Sequence, residues 1–313
     1  MKLKFTKMHG LGNDYIFFDC REKMLEHPED VARAMSPRHT SVGADGIVLI
    51  CRSDTADAGM RMFNSDGSEG KMCGNAIRCV GKYLYEYGGI KKEQLDIETL
   101  SGIRHLCLEV SESKVLAVTV DMGKALLYAE NVKAESNTDP ASRCDFLFDN
   151  GACRICGRFL SVTVGNPHAV VFLHDLTGTE DHGFCDLHEI DLKAMALAIS
   201  ESGPFPDGVN VELVALDGSG GLAMRVCERG SGETMACGTG ACASVAAAVK
   251  LGYLPHNSWI NVRLEGGMLE IKCSDEYILT MKGPAEKVYD VEYEYVSDKT
   301  GNICSHKLLL SEA

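Results

Sequence analysis

A fifteen-residue stretch of this chain has a counterpart 164 residues further on. Met60-Arg61-Met62-Phe63-Asn64-Ser65-Asp66-Gly67-Ser68-Glu69-Gly70-Lys71-Met72-Cys73-Gly74 lies over Met224-Arg225-Val226-Cys227-Glu228-Arg229-Gly230-Ser231-Gly232-Glu233-Thr234-Met235-Ala236-Cys237-Gly238 without a gap, and Met, Arg, Glu, Cys and Gly coincide at one offset of 164 residues. Two further matches keep the order: Gly12-Asn13 resembles Gly165-Asn166, and Asp45-Gly46-Ile47 resembles Asp207-Gly208-Val209. Such a chain is expected to fold as two related halves facing each other across a cleft. Each half presents a strand, a glycine-rich turn, a cysteine and then a helix, and each contributes one thiol.

The residues around the repeat fit a mainly β chain. Alternating runs at Phe159–Val164, Val209–Val214 and Trp259–Leu264 read as half-buried strands, and Gly266-Gly267 reads as a hairpin turn. Two helices interrupt them. Asn75–Tyr87 is apolar at 76, 77, 80, 83, 84 and 87 and stops at Gly88-Gly89; Thr239–Leu251 stops at Gly252 and Pro255. The second is small and apolar on nearly every side, as a helix enclosed by other elements must be. With 313 residues, 45% of them hydrophobic, two domains are expected. Their edges are set at 1–130 plus about 288–313 for the half carrying Cys73 and at 131–287 for the half carrying Cys237, with Asn131–Arg143 as the linker.

A formal charge of −14 repels polyphosphates and anionic lipid surfaces, so neither nucleic acid nor membrane is an expected partner. The start MKLKFTKMHGLGNDY lacks the apolar core of a secretory signal, and no apolar run of about twenty residues occurs. A cytoplasmic location is expected, in which the fourteen cysteines stay reduced and most serve as small core residues. Cys79, Cys227 and Cys242 read as core. Cys153-Arg154-Ile155-Cys156 has zinc or redox spacing, but no second pair accompanies it.

Cys73 and Cys237 differ from the other cysteines in setting. Each stands at the first turn of a helix and is followed by glycine, where free N–H groups and the helix dipole favour an anion and are expected to lower a thiol's pKa. The N–H groups at Gly74-Asn75 and Gly238-Thr239 can hold a carboxylate and stabilise charge that flows into it from an α-carbon. Inverting a carbon requires a proton to leave one face and another to arrive at the opposite face. A thiolate and a thiol do this without turning the substrate.

Lys7-Met8-His9-Gly10-Leu11-Gly12-Asn13-Asp14-Tyr15, the Phe63-to-Glu69 run into Cys73-Gly74-Asn75, Gly165-Asn166-Pro167-His168, and Glu228-Arg229-Gly230-Ser231-Gly232-Glu233-Thr234 into Cys237-Gly238-Thr239-Gly240 resemble the diaminopimelate epimerases, in order from about Lys4 to Tyr289. The resemblance implies an α+β fold of two pseudo-symmetric, mainly antiparallel β-roll or barrel halves, each around a central helix. It implies interconversion of LL- and meso-diaminopimelate without a cofactor or metal, for lysine and cell-wall synthesis. By position it makes Cys73 and Cys237 the acid/base thiols, with Gly74, Asn75, Gly238 and Thr239 on the reacting carboxylate. Asn13, Asn64, Asn166, Asn210, Glu228 and Arg229 would bind the remaining ammonium and carboxylate groups, for which an arginine fork and amide donors are suited. His168 and Glu228 would tune the cysteines, and Tyr289 would form a homodimer contact. Two departures stand out: Gly46 replaces the Gln of some members, and Glu294–Ala313 extends past the usual end. Two rivals remain at this stage: a proline or hydroxyproline racemase, whose substrate has one carboxylate, and a non-enzymatic thiol or metal-binding protein.

Overall fold

The computed structural model describes residues 2–127, 144–149, 154–178, 185–202, 205–297 and 303–309. The expected linker Asn131–Arg143 and Cys153 lie outside the described residues. The chain divides into two compact units, Met1–Val120 with Gly283–Ala313, and Asp121–Lys282.

The first unit opens with β1 (Lys2–Gly10) and β2 (Asn13–Cys20), an antiparallel pair. Leu11 and Gly12 between them take φ of 57° and 83°, the positive values that let a two-residue turn follow the strand twist. That turn sets Asn13 at the head of β2. After α1 (Pro28–Met35), β3 (Gly46–Cys51) runs parallel to β2 and β4 (Ala58–Asn64) antiparallel to β3. The two-residue β5 (Glu69–Gly70) folds back on β4 and leads to α2 (Gly74–Glu86); β6 (Gln94–Thr99), β7 (Gly102–Ser111) and β8 (Lys114–Lys124) follow.

The second unit repeats the plan. β9 (Cys144–Asp149), β10 (Arg154–Thr163) and β11 (Pro167–Phe172) form an antiparallel set. Then come α3 (Leu192–Ser202), β12 (Asn210–Leu216) parallel to β11, β13 (Leu222–Glu228), β14 (Gly232–Thr234) and α4 (Gly238–Lys250). β15 (Trp259–Leu264), β16 (Gly267–Cys273) and β17 (Ile278–Gly283) complete it. The chain then returns to the first unit, where β18 (Glu286–Ser297) pairs antiparallel with both β1 and β19 (Ile303–Leu309). The starts of α1 and α3, β3 and β12, β4 and β13, and α2 and α4 are each separated by the same 164 residues, so the repeat extends well beyond the fifteen residues that reveal it.

The α+β class holds, with both expected helices starting and ending one residue before the sequence-based bounds. Two more α-helices, α1 and α3, were not foreseen. α1 is only eight residues long, with Pro28 in its first turn and Glu29 and Asp30 at its positive end. Its Val31, Ala32 and Met35 join a core with Ile47, Leu49 and Phe63. α3 is held by tertiary packing: its Met195 and Ile199 are fully buried with Phe159, Phe205 and Leu213.

Both central helices are enclosed. Nearly every residue of α4 is buried, and its alanines let β10, β11, β12, β13 and β16 approach. In α2 the close approach is at Gly81, where a Cβ would lie 2.9 Å from Leu106 Cδ2 on β7. The far end of α2 is fixed by charge. Glu86 Oε1 accepts from Val115 N at 2.8 Å, and its carboxylate pairs with Lys82 at 3.3 Å and Lys114 at 3.1 Å. Burial opposes ionisation of Glu86, but the Val115 N–H and the two ammonium groups outweigh it and hold the carboxyl at about 2.

A folded-state pKa below the ordinary 4.5 means that this carboxylate's contribution is complete above that pH and is lost as the pH falls toward 2. Glu86→Gln should therefore cost about 1–3 kcal/mol near neutral pH, with the gap to wild type closing on acidification. Denaturant titrations at pH 7 and pH 3 measure it; an equal gap at both would refute the ion-pair account.

Candidate active site

Each cysteine of the repeat is delivered by a strand and a braced turn. In the first unit the Arg61 guanidinium forks onto Glu69, with Nε to Oε1 at 2.6 Å and Nη2 to Oε2 at 3.1 Å. In the second, Arg225 does the same to Glu233 at 2.7 Å and 3.0 Å. The repeated Arg and Glu thus close the turn before the cysteine. Their exposed, bidentate geometry fixes direction more than it adds stability.

Cys73 is extended (φ −131°) and immediately precedes α2, with its carbonyl accepting the helical bond from Ile77. Its Sγ donates to Asn13 Oδ1 at 3.5 Å, and Asn75 Nδ2 donates to the same oxygen at 3.1 Å. Asn13 is oriented from behind, since its Nδ2 donates to Asp45 Oδ2 at 2.7 Å. Asp45 in turn pairs with Arg38 at 2.7 Å, Arg38 with Asp14 at 2.6 Å, and Asp14 with the buried Lys7 at 2.6 Å. Burial works against the Asp14 charge, yet Arg38 and Lys7 hold the carboxyl below its ordinary range; burial pushes the Lys7 ammonium down. Arg78, fully buried in α2, donates to Gly74 O, Asn75 Oδ1 and Pro284 O, each at 3.0 Å. It ties the helix start to the segment leading into β18. Gly10 must be glycine beside it, because a Cβ would come within 2.9 Å of Arg78 Nη2 and 3.0 Å of Asn75 Cβ.

The first unit therefore gathers Asn13, Cys73, Gly74 and Asn75. Asn64 bonds its own turn, donating to Ser68 Oγ at 3.0 Å. Gly46 has no room for a side chain: a Cβ would lie 2.1 Å from Phe63 O. Sequence reasoning passed over Tyr15, a buried residue beside Cys73; burial, then Cys73 and Asp45, push the phenol pKa well up.

Cys237 caps α4 in the same extended form, and its Sγ accepts from Gly240 N at 3.4 Å with Thr239 Oγ1 also at 3.4 Å. Its other neighbours are acids. Glu228, at the end of β13, is coupled electrostatically to the thiol and accepts from Thr234 Oγ1 at 2.5 Å. Burial pushes the Glu228 carboxyl up against these influences. The expected lowering of the thiol pKa does not hold for Cys237. Burial, then the Glu228 and Glu212 carboxylates, push it well above its ordinary value, and the bonds from Thr239 and Gly240 do not compensate.

His168 is fully buried on β11 opposite Asn210, with Nδ1 2.7 Å from Glu212 Oε1 and Nε2 3.0 Å from Asn166 Oδ1. Asn210 Oδ1 accepts from Arg229 N at 2.8 Å. The Arg229 side chain is exposed; Nη1 donates to Asp207 O at 2.9 Å and its stem passes over Gly208, where a Cβ would lie 3.1 Å from Arg229 Cδ. The second unit therefore gathers Asn166, His168, Asn210, Glu228, Arg229, Cys237, Gly238 and Thr239. Glu212 was missed, because a lone acid in the run Asn210–Leu216 looks like the solvent face of a strand. Tyr289 stands on β18 opposite Lys7, about one-third exposed at 36%, its ring edge on Phe5 at 6.4 Å. Cys79, Cys227 and Cys242 are buried, and Cys156 is exposed. No helix among the described residues is long and apolar enough to cross a membrane.

The family model described as diaminopimelate epimerase matches residues 5–128 and 160–288. A protein of Methanococcus maripaludis named diaminopimelate epimerase is 44% identical over 294 residues, covering 93% of this chain and 100% of its own length. One of Acetivibrio thermocellus with the same name is 42% identical over 296 residues, covering 93% and 99%. Among solved structures, a hydroxyproline epimerase from Agrobacterium vitis superposes with a TM-score of 0.69 at 16% identity, covering 96% of this chain and 94% of its own. A Bacillus anthracis phenazine biosynthesis protein of the PhzF family reaches 0.65 at 16% identity, covering 93% and 99%. At such identities these structures show a shared fold.

Replacing Glu228 by Gln removes the carboxylate that raises the Cys237 thiol. The midpoint of Cys237 alkylation, followed by peptide-resolved mass spectrometry across pH, should move down in Glu228→Gln. A midpoint that stays in place would show that Glu228 does not control this thiol.

Proposed function

Since the chain belongs to the diaminopimelate epimerase family, we propose that it interconverts LL- and meso-diaminopimelate by passing the α-proton between Cys73 and Cys237. The observation that carries this reading is the duplicated setting of the two thiols, each capping a thirteen-residue helix whose first residue is a buried glycine. A thiolate takes the α-proton, and the electron pair left behind flows into the substrate carboxylate. N–H groups of Gly74 and Asn75, and of Gly238 and Thr239, stabilise that charge. The other thiol then gives its proton to the opposite face, and the two sulfurs exchange protonation states. Glu228, electrostatically coupled to Cys237, takes that thiol's proton when the sulfur must act as the base and keeps it while Cys237 receives the α-proton and Cys73 gives up its own.

Asn13, Asn64, Asn166 and Asn210 supply donors and acceptors for the rest of the substrate, and Glu228 also suits its ammonium. Arg229 offers a fork to the distal carboxylate. A proline-type substrate lacks that second carboxylate, which favours diaminopimelate over the racemase reading. The chemistry requires neither metal nor organic cofactor, and its place is the cytoplasmic supply of lysine and peptidoglycan precursors. We assign Tyr289, with the neighbouring Val288 at 54% exposure, to a homodimer contact.

Metal-free, pyridoxal-phosphate-free protein given LL-diaminopimelate in deuterium oxide should yield the meso form with deuterium at the inverted carbon. Cys73→Ser and Cys237→Ser should each slow this by about 10²–10⁴-fold while keeping the fold, because a hydroxyl is a far weaker acid. Wild-type turnover in either variant would end the two-thiol mechanism, and equal racemisation of proline would end the substrate assignment. Sedimentation should show a dimer that Tyr289→Asp converts to monomers; a monomeric wild type would remove the contact.

A further inference from the structure

Glu212 has no role in the reaction as stated, yet it is a fully buried acid in the middle of the site. We propose that Glu212 is a positioning residue for the epimerase site: its carboxylate decides which nitrogen of His168 carries the ring proton. On β12 it lies two residues beyond Asn210, the partner of His168 in the parallel pair with β11, so all three project from the same face of the sheet. Neither the Glu212 nor the His168 side chain has any exposed surface, and Oε1 is 2.7 Å from Nδ1. In this arrangement Glu212 accepts through Oε1 and Nδ1 donates. The exchangeable end of the ring is then Nε2, which lies 3.0 Å from Asn166 Oδ1, and a neutral ring protonated at Nδ1 requires the Asn166 amide to turn its Nδ2 toward Nε2.

The rest of the carboxylate is placed with equal economy. A Cβ on Gly240 would come within 2.6 Å of Oε1, so the acid lies against the first turn of α4, the helix that Cys237 caps. Oε2 has no hydrogen-bond partner among the described residues. Its charged and titratable neighbours are His168, Glu228 and Cys237, besides the positive end of α4. A side chain needed only for packing between Val211 and Leu213 would be apolar, because burying a carboxylate with one oxygen unbonded opposes folding. The carboxylate is explained by what it does to the histidine, as the acid behind a general-base histidine sets its tautomer.

This inference rests on the epimerase reading, but its first test does not. Nitrogen-15 correlation spectra of the imidazoles should show His168 protonated at Nδ1 in the wild type. In Glu212→Gln, whose amide can donate as well as accept, the proton should redistribute toward Nε2. The variant's kcat for α-hydrogen exchange should fall about 10- to 100-fold with KM little changed, the scale typical of losing a hydrogen-bond partner behind a working histidine. A wild-type His168 unprotonated at Nδ1 overturns the proposal, as does a folded Glu212→Gln with wild-type kcat. Should the variant fail to fold, the wild-type spectrum decides alone. Wild-type protein with no exchange activity would sink the epimerase reading, and the spectrum would still judge Glu212.

Discussion

A helix that starts inside a protein brings N–H groups that its own turns cannot satisfy. Each unit of this chain is organised around that constraint. α2 and α4 begin at buried glycines, and the chain must arrive there along a fixed path. The Arg61–Glu69 and Arg225–Glu233 forks hold the path upstream, while Arg78 and the small residues of α4 hold the helix start and body downstream. What remains at each helix end is a cysteine and a set of oriented donors. The start of a helix is a place that favours an anion.

The repeat fixes the backbone of the two ends alike and lets their surroundings differ. Cys73 donates to the amide oxygen of Asn13 and lies near the phenol of Tyr15. Cys237 is met by Glu228 and lies in the field of Glu212, so its thiol holds its proton strongly. The repeat thus shares its backbone between the two thiols and not their side-chain neighbours.

Much of this was legible because the repeat pairs an apolar helix pattern with a glycine-rich turn, and both signals are local. α2 and α4 came within one residue at each end, and the cysteine caps followed from them. α1 and α3 were not legible. An eight-residue helix such as Pro28–Met35 offers barely two turns of pattern, and α3 depends on partners such as Phe159 and Phe205 that are distant in sequence. Arg78 and Glu212 were missed for a related reason: a charged residue is read as solvent-facing unless its buried partner is known, and those partners are Pro284 and His168. The direction of the Cys237 pKa failed because the helix-end argument uses only backbone, whereas burial and two side-chain carboxylates dominate.

The pairing of β1 with β18 fixes the order in which the molecule can be completed. Strands from the two ends of the chain lie side by side in the first unit, and all of Asp121–Lys282 is threaded between them. During synthesis the second unit has every strand it needs before Glu286–Ser297 emerges from the ribosome, whereas β1 must wait for that segment. The half that is translated first is therefore the last to close its sheet, and the nascent chain carries an unpartnered β1 edge through most of its elongation.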